Sequence, residues 1–342
     1  MTIQQLATLS ITTVLAAACH HPVSVSFVEP ADIGLPADVE TVLVVNRSLP
    51  RNAGESILNA GESLATNEGF DADYGTSLVA LDALASVLGE TDRFEVLQLN
   101  IDGKRVDTSL FDKPLDARTA IKLCKRHDCD AVIALDALDT DTINRVIGEK
   151  VAGEPPSFTG TADASIGATF RVYDGDTGAV LDTSKVHRHT SAETTSERRD
   201  EAMAVFARNG QLQNHLARTV GNTYGERISP HIVSVQRGWY AVGSPELRKA
   251  ALFAKADNWD RAARIWTKIL DSEDAHDIAK ARHNLAVHNE LQGNLKKARN
   301  LASRAERTLS RPKTQGYSLA ISERIADAEE LERQMAGSSN PV

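Results

Sequence analysis

Three groups of side chains in this 342-residue chain have types and spacings that can do chemistry. The first is Asp136, Asp139 and Asp141, which follow the apolar run in "AVIALDALDTD". Carboxylates where a strand leaves an α/β sheet can hold a cation or serve as acid and base. They are also what an ordinary strand-to-loop exit contains. The second is Cys124, His127 and Cys129 in "LCKRHDCDAV". Three readings stay open there. One is a local disulfide, as suits an oxidising compartment. Another is a three-ligand metal site, one short of the four that structural zinc takes. The last is a helix end with one buried and one free thiol. The third group is His187-Arg188-His189, two imidazoles on one face of a strand with no further ligands in view.

"YDGDTG" at 173–178 lacks the remaining acidic positions of a calcium loop and reads as a hairpin turn. The chain contains no Gly-rich phosphate loop, no Gly-x-Ser-x-Gly and no His-Glu-x-x-His. No catalytic residue is therefore assigned, and the expectation is a protein that is not an enzyme and carries no metal or cofactor. Asn46 and Arg47, just after "VLVV", and Arg237, Trp239 and Tyr240 in "HIVSVQRGWYAV" are the other residues of note. They are candidates for interdomain packing or for a ligand, with Arg237 placed to form an ion pair across domains or to meet a partner carboxylate.

The elements that must position these residues follow from hydrophobic patterning. Val42–Val45 is a short continuous apolar run and reads as a buried strand. Residues 50–75 are rich in Gly, Asn and Asp and read as a loop. Leu78, Leu81, Ala85 and Leu88 share one helical face that Gly89 ends. "RFEVLQL" reads as a strand, "DARTAIKLCKRHD" as a helix capped by Asp116, and "DAVIALDAL" as a second apolar strand. Strand–helix–strand–helix–strand is the pattern of an α/β unit with a partly parallel sheet. "ATFRVY" and "AVLDTSKVHRH" then read as a β-hairpin. One long helix over about 200–226 and a last strand, "HIVSVQRGWYAV", complete the first domain.

The final hundred residues are helical in pattern. Trp259-Asp260-Arg261-Ala262 recurs as Leu295-Lys296-Lys297-Ala298, 36 residues on, close to the 34-residue tetratricopeptide (TPR) period. Ala262, Ala263 and Ala298 are small enough for close helix approach. Asn258 and Gly293-Asn294 make the turns, Pro312 ends the second pair, and an amphipathic helix caps the array. The expected fold is α+β: a mixed α/β sheet domain over 19–243, then TPR-like helical repeats with a capping helix over 244–336 and a tail over 337–342.

Residues 1–22 carry no charged side chain. Leu6–Ala18 is too short to span a bilayer, which takes roughly 20 residues, but suits the apolar core of a secretory signal. Leu15-Ala16-Ala17-Ala18-Cys19 resembles a bacterial lipobox, which implies lipidation of Cys19 and removal of residues 1–18. No Lys or Arg stands near Met1, where such signals carry positive charge. The absence of Asp after Cys19 points to the outer membrane, facing the periplasm.

Three segments together resemble a family of bacterial lipoproteins with an N-terminal domain of unknown function followed by tetratricopeptide repeats. They are "PADVETVLVVNRS", "YGERISPHIVSVQRGWYAVGS" and "LRKAALFAKADNWDRAARIW", and they come in order along the chain. The resemblance implies an α/β domain, surface lipidation and an envelope location; it implies no activity and no catalytic residues.

Charge narrows the partners. Residues 1–244 hold 21 Lys+Arg and 33 Asp+Glu, a net of −12, and residues 245–342 hold 17 and 14, a net of +3. An acidic first domain argues against nucleic acid. The expected function is a lipid-anchored envelope protein that serves as an interaction or assembly scaffold. Its TPR-like repeats would bind a protein or peptide through helix residues such as Arg248, Lys255, Arg282 and Asn289. The alternatives are a glycan or lipid hydrolase or transferase using Asp136–Asp141, and an oligomerising periplasmic secretion or assembly subunit.

Overall fold

The computed structural model describes residues 21–48, 70–99, 114–153, 155–309 and 314–336. Cys19 with its leader, most of the expected loop over 50–75, Pro312 and the tail fall outside them. The chain forms two compact units. One holds residues 30–231 and 332–342, the other residues 1–29 and 232–331. The fold is a mixed α+β sheet unit followed by a region of several helices.

The sheet unit is built on five strands in the order β3-β2-β4-β5-β6. These are β2 (Thr41–Asn46), β3 (Glu95–Gln98), β4 (Ala131–Glu149), β5 (Ser157–Asp174) and β6 (Val180–Ser196). β2 runs parallel to both β3 and β4, whereas β4, β5 and β6 form antiparallel ladders. The apolar run Val42–Val45 is buried on both faces, as a central parallel strand must be. One face of the sheet packs under α1 (Phe70–Leu88) and α4 (Asn209–Ile228) in a core of Val42, Val44, Ile133, Phe170, Leu84, Leu88, Val220 and Tyr224. The other face packs, over its first half, under α2 (Ala117–His127), through Leu43, Val45, Val132, Ala134, Leu123 and Cys124. Asp116 caps α2 by accepting from Arg118 N at 3.0 Å. α1 and α4 cross closely because Gly221 and Gly225 have no Cβ; one at Gly225 would lie 2.7 Å from Val87 Cβ.

Three expectations need correction. α1 begins at Phe70, so the end of the stretch expected as a loop is helical. The helix expected over 200–226 is interrupted: α3 (Arg199–Met203) gives way to a 3-10 turn over Ala204–Arg208 before α4 starts. The apolar strand does not end near 138. β4 continues for 19 residues to Glu149, so Asp136, Asp139 and Asp141 lie inside a strand and not at its exit. Apolar content marked only the part of β4 that is buried on both faces; the rest alternates.

In the helical unit, β7 (His231–Trp239) pairs with β1 (His21–Glu29) in a separate two-stranded sheet, not with the five-stranded one. Two helix pairs follow: α5 (Pro245–Lys255) with α6 (Trp259–Ile269), and α7 (Ala275–Leu291) with α8 (Leu295–Glu306); α9 (Tyr317–Met335) comes last. The interior combines alanines at the helix seams (Ala250, Ala254, Ala262, Ala281, Ala298, Ala302) with Trp239, Trp259 and Trp266. The three indoles lie 5.8–6.3 Å apart, centroid to centroid. Asn258 caps α6 through Arg261 N at 3.2 Å. No helix among the described residues is long and apolar enough to cross a membrane.

Candidate functional site

α7 is the most enclosed helix of its unit. Its sequence, "AHDIAKARHNLAVHNEL", has no apolar stripe: His283, Asn284, Asn289 and Glu290 are buried alongside Ala279, Ala281, Ala286 and Val287. Buried polar groups need partners, and here an extended segment of the chain's own backbone supplies them. Asn284 reads one residue of that segment at both ends. Tyr240 N donates to Asn284 Oδ1 at 2.7 Å, and Asn284 Nδ2 donates to Tyr240 O at 2.7 Å. His283 Nε2 donates to Gly238 O at 2.8 Å. At the near end of the segment, Ser244 N donates to Asp277 Oδ2 at 2.8 Å.

Glu290 closes the other end. It takes Arg237 through Nε and Nη2 at 3.1 Å, Arg324 Nη1 at 2.5 Å and the Tyr317 hydroxyl at 2.5 Å. Its side chain is wholly buried. Burial works against the charged carboxyl, but the hydrogen bonds from Arg237, Tyr317 and Arg324 outweigh it and hold Glu290 below the ordinary carboxyl range. Burial first, and Glu290 second, push the Tyr317 hydroxyl far above its ordinary value. α7 thus holds an extended strand by amide, imidazole and ion-pair contacts along its length.

The residues expected to meet a partner separate into three kinds. Arg248 and Lys255 are exposed on α5 and share a face with Leu252, which is 68% exposed. Arg282 is half-buried. Asn289 is buried and donates to Leu285 O at 2.6 Å, so its amide is spent within its own helix. A groove of about 460 Å³ runs beside it, lined by Asp260, Arg264, Thr267, His288, Gln292 and Lys297. Arg237 meets Glu290 inside the helical unit, and Trp239 packs on Trp259 and Trp266 there.

In the sheet unit, Asn46 and Arg47 also turn inward. Asn46 Nδ2 donates to Ser77 Oγ at 2.7 Å. Arg47 is 1% exposed and donates to Asp136 Oδ1. Asp136 Oδ2 accepts from Arg171 Nη1 at 2.5 Å and from the Tyr173 hydroxyl at 2.9 Å. Burial, with Asp136 adding to it, pushes Tyr173 up to about 12. Both carboxyl oxygens of Asp136 are therefore committed, and it is fully buried.

Asp136 sits at a β-bulge. The register against β5 shifts between Leu135 and Ala137, which leaves Asp136 as the extra residue. Beyond the bulge the alternation is reversed, so Asp139 and Asp141 share the face of Asp136. On that face Asp139 lies in one row with Gly167 and His187, and Asp141 in the next with Ser165 and His189. Gly167 leaves room for the His187 ring, whose Cε1 would stand 3.0 Å from a Cβ there. Burial, then Asp141, raise Asp139 above its usual value, with His187 opposing. An open concavity of about 930 Å³ adjoins these rows, lined by Asp141, Ile143, Asp163, Ser165, His189 and Ser191. Among the described residues no group of three or more His, Cys, Asp or Glu stands close enough to hold a metal ion.

The remaining motifs are local. Cys124 and Cys129 are joined in a disulfide across the end of α2. Asp174 closes the β5–β6 turn by accepting from Thr177 N at 2.7 Å and Thr177 Oγ1 at 2.6 Å. Pairing of Asn284 and Glu290 with the 237–240 segment escaped sequence reasoning. The available signal was a helix with two adjacent polar pairs, His283-Asn284 and Asn289-Glu290, and no polar face to put them on.

Residues 39–240 match the family described as "Domain of unknown function (DUF8603)", which is more than half of the chain. The chain belongs to that family. The DUF8603 match takes in the whole five-stranded sheet, and it is followed over residues 248–330 by a match to "Domain of unknown function (DUF6340)". Two domains of unknown function thus stand in order, and neither description names lipidation or a tetratricopeptide. No curated protein matches the chain.

Proposed function

We propose that this chain is a lipid-anchored cell-envelope protein, held at the outer membrane through Cys19, that acts as an interaction or assembly scaffold through TPR-like helix pairs. One observation carries the reading: α7 clasps an extended segment by its backbone, through Asn284 and His283. Extended-chain recognition of this kind is what helical-repeat arrays offer to partners. Because the chain's own segment fills the α7 face, the partner surface of this proposal is the exposed α5 stripe of Arg248, Leu252 and Lys255. Its basic rim around an apolar residue suits an acidic, amphipathic protein segment.

The test is a pull-down of the tagged full-length chain from detergent-extracted envelopes, beside Cys19→Ser and the double variant Arg248→Glu/Lys255→Glu. The proposal expects a stoichiometric protein partner that is lost in the double variant and loses its membrane association in Cys19→Ser. An empty pull-down, or a partner that survives the double variant, overturns it.

A second reading draws on the sheet face. A hydrolase or transferase acting on envelope glycan or lipid would have to use Asp139 and Asp141, since Asp136 is enclosed by Arg47, Arg171 and Tyr173. Asp139, exposed in one row with His187 and raised above its usual value, favours it. An Asp139→Asn variant with an unaltered envelope phenotype would count against that reading.

A further inference from the structure

α8 carries Lys296, Lys297, Arg299 and Arg304, and Arg307 follows it; all five are exposed. The one carboxylate of the helix, Glu306, is turned aside to Ser318, accepting from its N at 2.8 Å and its Oγ at 2.6 Å. Ala298, Ala302 and Ala305 are the buried side, so Lys296, Asn300, Ser303, Arg304 and Arg307 share the opposite face. Lys297 lies on the flank toward α6, where it lines the groove whose other wall includes Asp260 and Arg264. α6 adds Arg264 and Lys268, both exposed.

Among the described residues none of these seven cations forms an ion pair or a side-chain hydrogen bond. The acidic groups close by in sequence are Asp260, whose Oδ1 is 3.7 Å from His288 Nε2, and Asp271 and Glu273 in the turn after α6. Like charges three or four apart on a helix repel, as Lys296 does Arg299 and Arg304 does Arg307. A negative surface outside the chain relieves that repulsion. We infer that the α6–α8 face docks on the anionic phospholipid headgroups of a bilayer.

Three observations choose this occupant. Thr267, Asn300 and Ser303 fill the spaces between the cations, while Leu295 and Leu301 pack against the core of the unit. The face therefore lacks the apolar centre of a protein interface, whereas headgroup attraction needs charge alone. The whole chain is acidic, at −9, which disfavours a nucleic acid that wraps it. Cys19 stands two residues before β1, and β1 belongs to the same unit as α6 and α8. An anchored chain holds this unit against the membrane, so the choice of a bilayer rests on the lipid-anchored reading above.

The test is co-sedimentation of the soluble Cys19→Ser chain with vesicles of phosphatidylcholine, alone or mixed with phosphatidylglycerol. At low salt the chain should bind the mixed vesicles only, and about 1 M salt should release it. Lys296→Ala/Arg304→Ala should weaken partitioning about 25-fold, from about fivefold for each cation. Lys122→Ala/Lys125→Ala on α2 changes the net charge equally and should leave binding unaltered. No binding to the mixed vesicles, equal binding to phosphatidylcholine alone, or equal weakening by the two double variants would each overturn the inference. So would an acidic protein captured through Lys296 and Arg304 by a chain that ignores the vesicles. Failure of the anchor reads out separately, as a wild-type chain that salt extracts from envelopes.

Discussion

The two units solve one electrostatic problem with the same set of side chains. Each buries a single carboxylate between two arginines and a tyrosine. In the sheet unit these are Asp136, Arg47, Arg171 and Tyr173; in the helical unit they are Glu290, Arg237, Arg324 and Tyr317. What differs is the backbone they tie. The Asp136 cluster joins neighbouring strands of one sheet, which ladders already hold in register. The Glu290 cluster joins β7 to two helices, where no ladder exists and side chains alone set the position. Buried ion pairs contribute little net stability against an apolar replacement, but removing one partner is costly. The comparison therefore teaches that such a cluster acts as a positional device, and that the device matters more where the backbone offers no other alignment.

The strongest way to break the comparison is to remove each carboxylate in turn. Asp136→Asn and Glu290→Gln each leave two arginines facing a neutral group, and each should cost about 3 kcal/mol or more. Denaturant unfolding followed by Trp fluorescence separates them, since Trp239, Trp259 and Trp266 all lie in the helical unit. Glu290→Gln should move that signal; Asp136→Asn should move the circular dichroism of the sheet first. Coincident transitions in both variants would mean the units unfold together.

Asn284→Ala sharpens the point about alignment. It strands the Tyr240 N–H and C=O and should cost about 2 kcal/mol, with increased hydrogen exchange over 237–241. Protection unchanged there would show that the segment is held by Trp239 packing alone.

The smallest effect is a pH dependence. Glu290 is held below the ordinary carboxyl range when folded. Its contribution is thus fully present above the unfolded value of about 4.5 and is lost as pH falls through the folded value. Wild type and Glu290→Gln should converge in stability over that acidic window. Parallel curves would remove Glu290 as the titrating group.

Much of this architecture can be read from pattern because its causes are local. Val42–Val45 is apolar on both faces, Asp116 caps its helix, and Asp174 closes its turn through the nearest residues. The parts that escaped depend on distant pairing. β4 outruns its apolar stretch because its second half is paired to β5 with one face open, and nothing in "DTDTINRVIGE" declares that partner. Arg237 stood out by its chemistry, yet the carboxylate it meets lies 53 residues away on another element. Asn289 looked like a surface amide because α7 has no apolar stripe, and its burial comes from what surrounds the helix.

The bulge at Asp136 has an evolutionary corollary. Length changes are easily absorbed in surface turns, whereas a single-codon deletion of Asp136 would close the bulge into a regular ladder and leave the rest of β4 on its present faces. Leu138, Thr140 and Thr142 would stay where they are, but Arg47, Arg171 and Tyr173 would lose the buried carboxylate that they surround. Homologous chains are therefore expected to vary freely in side chain along the open face while keeping the bulge and its carboxylate together with the two arginines. Insertions and deletions should accumulate in the turns at either end of the strand.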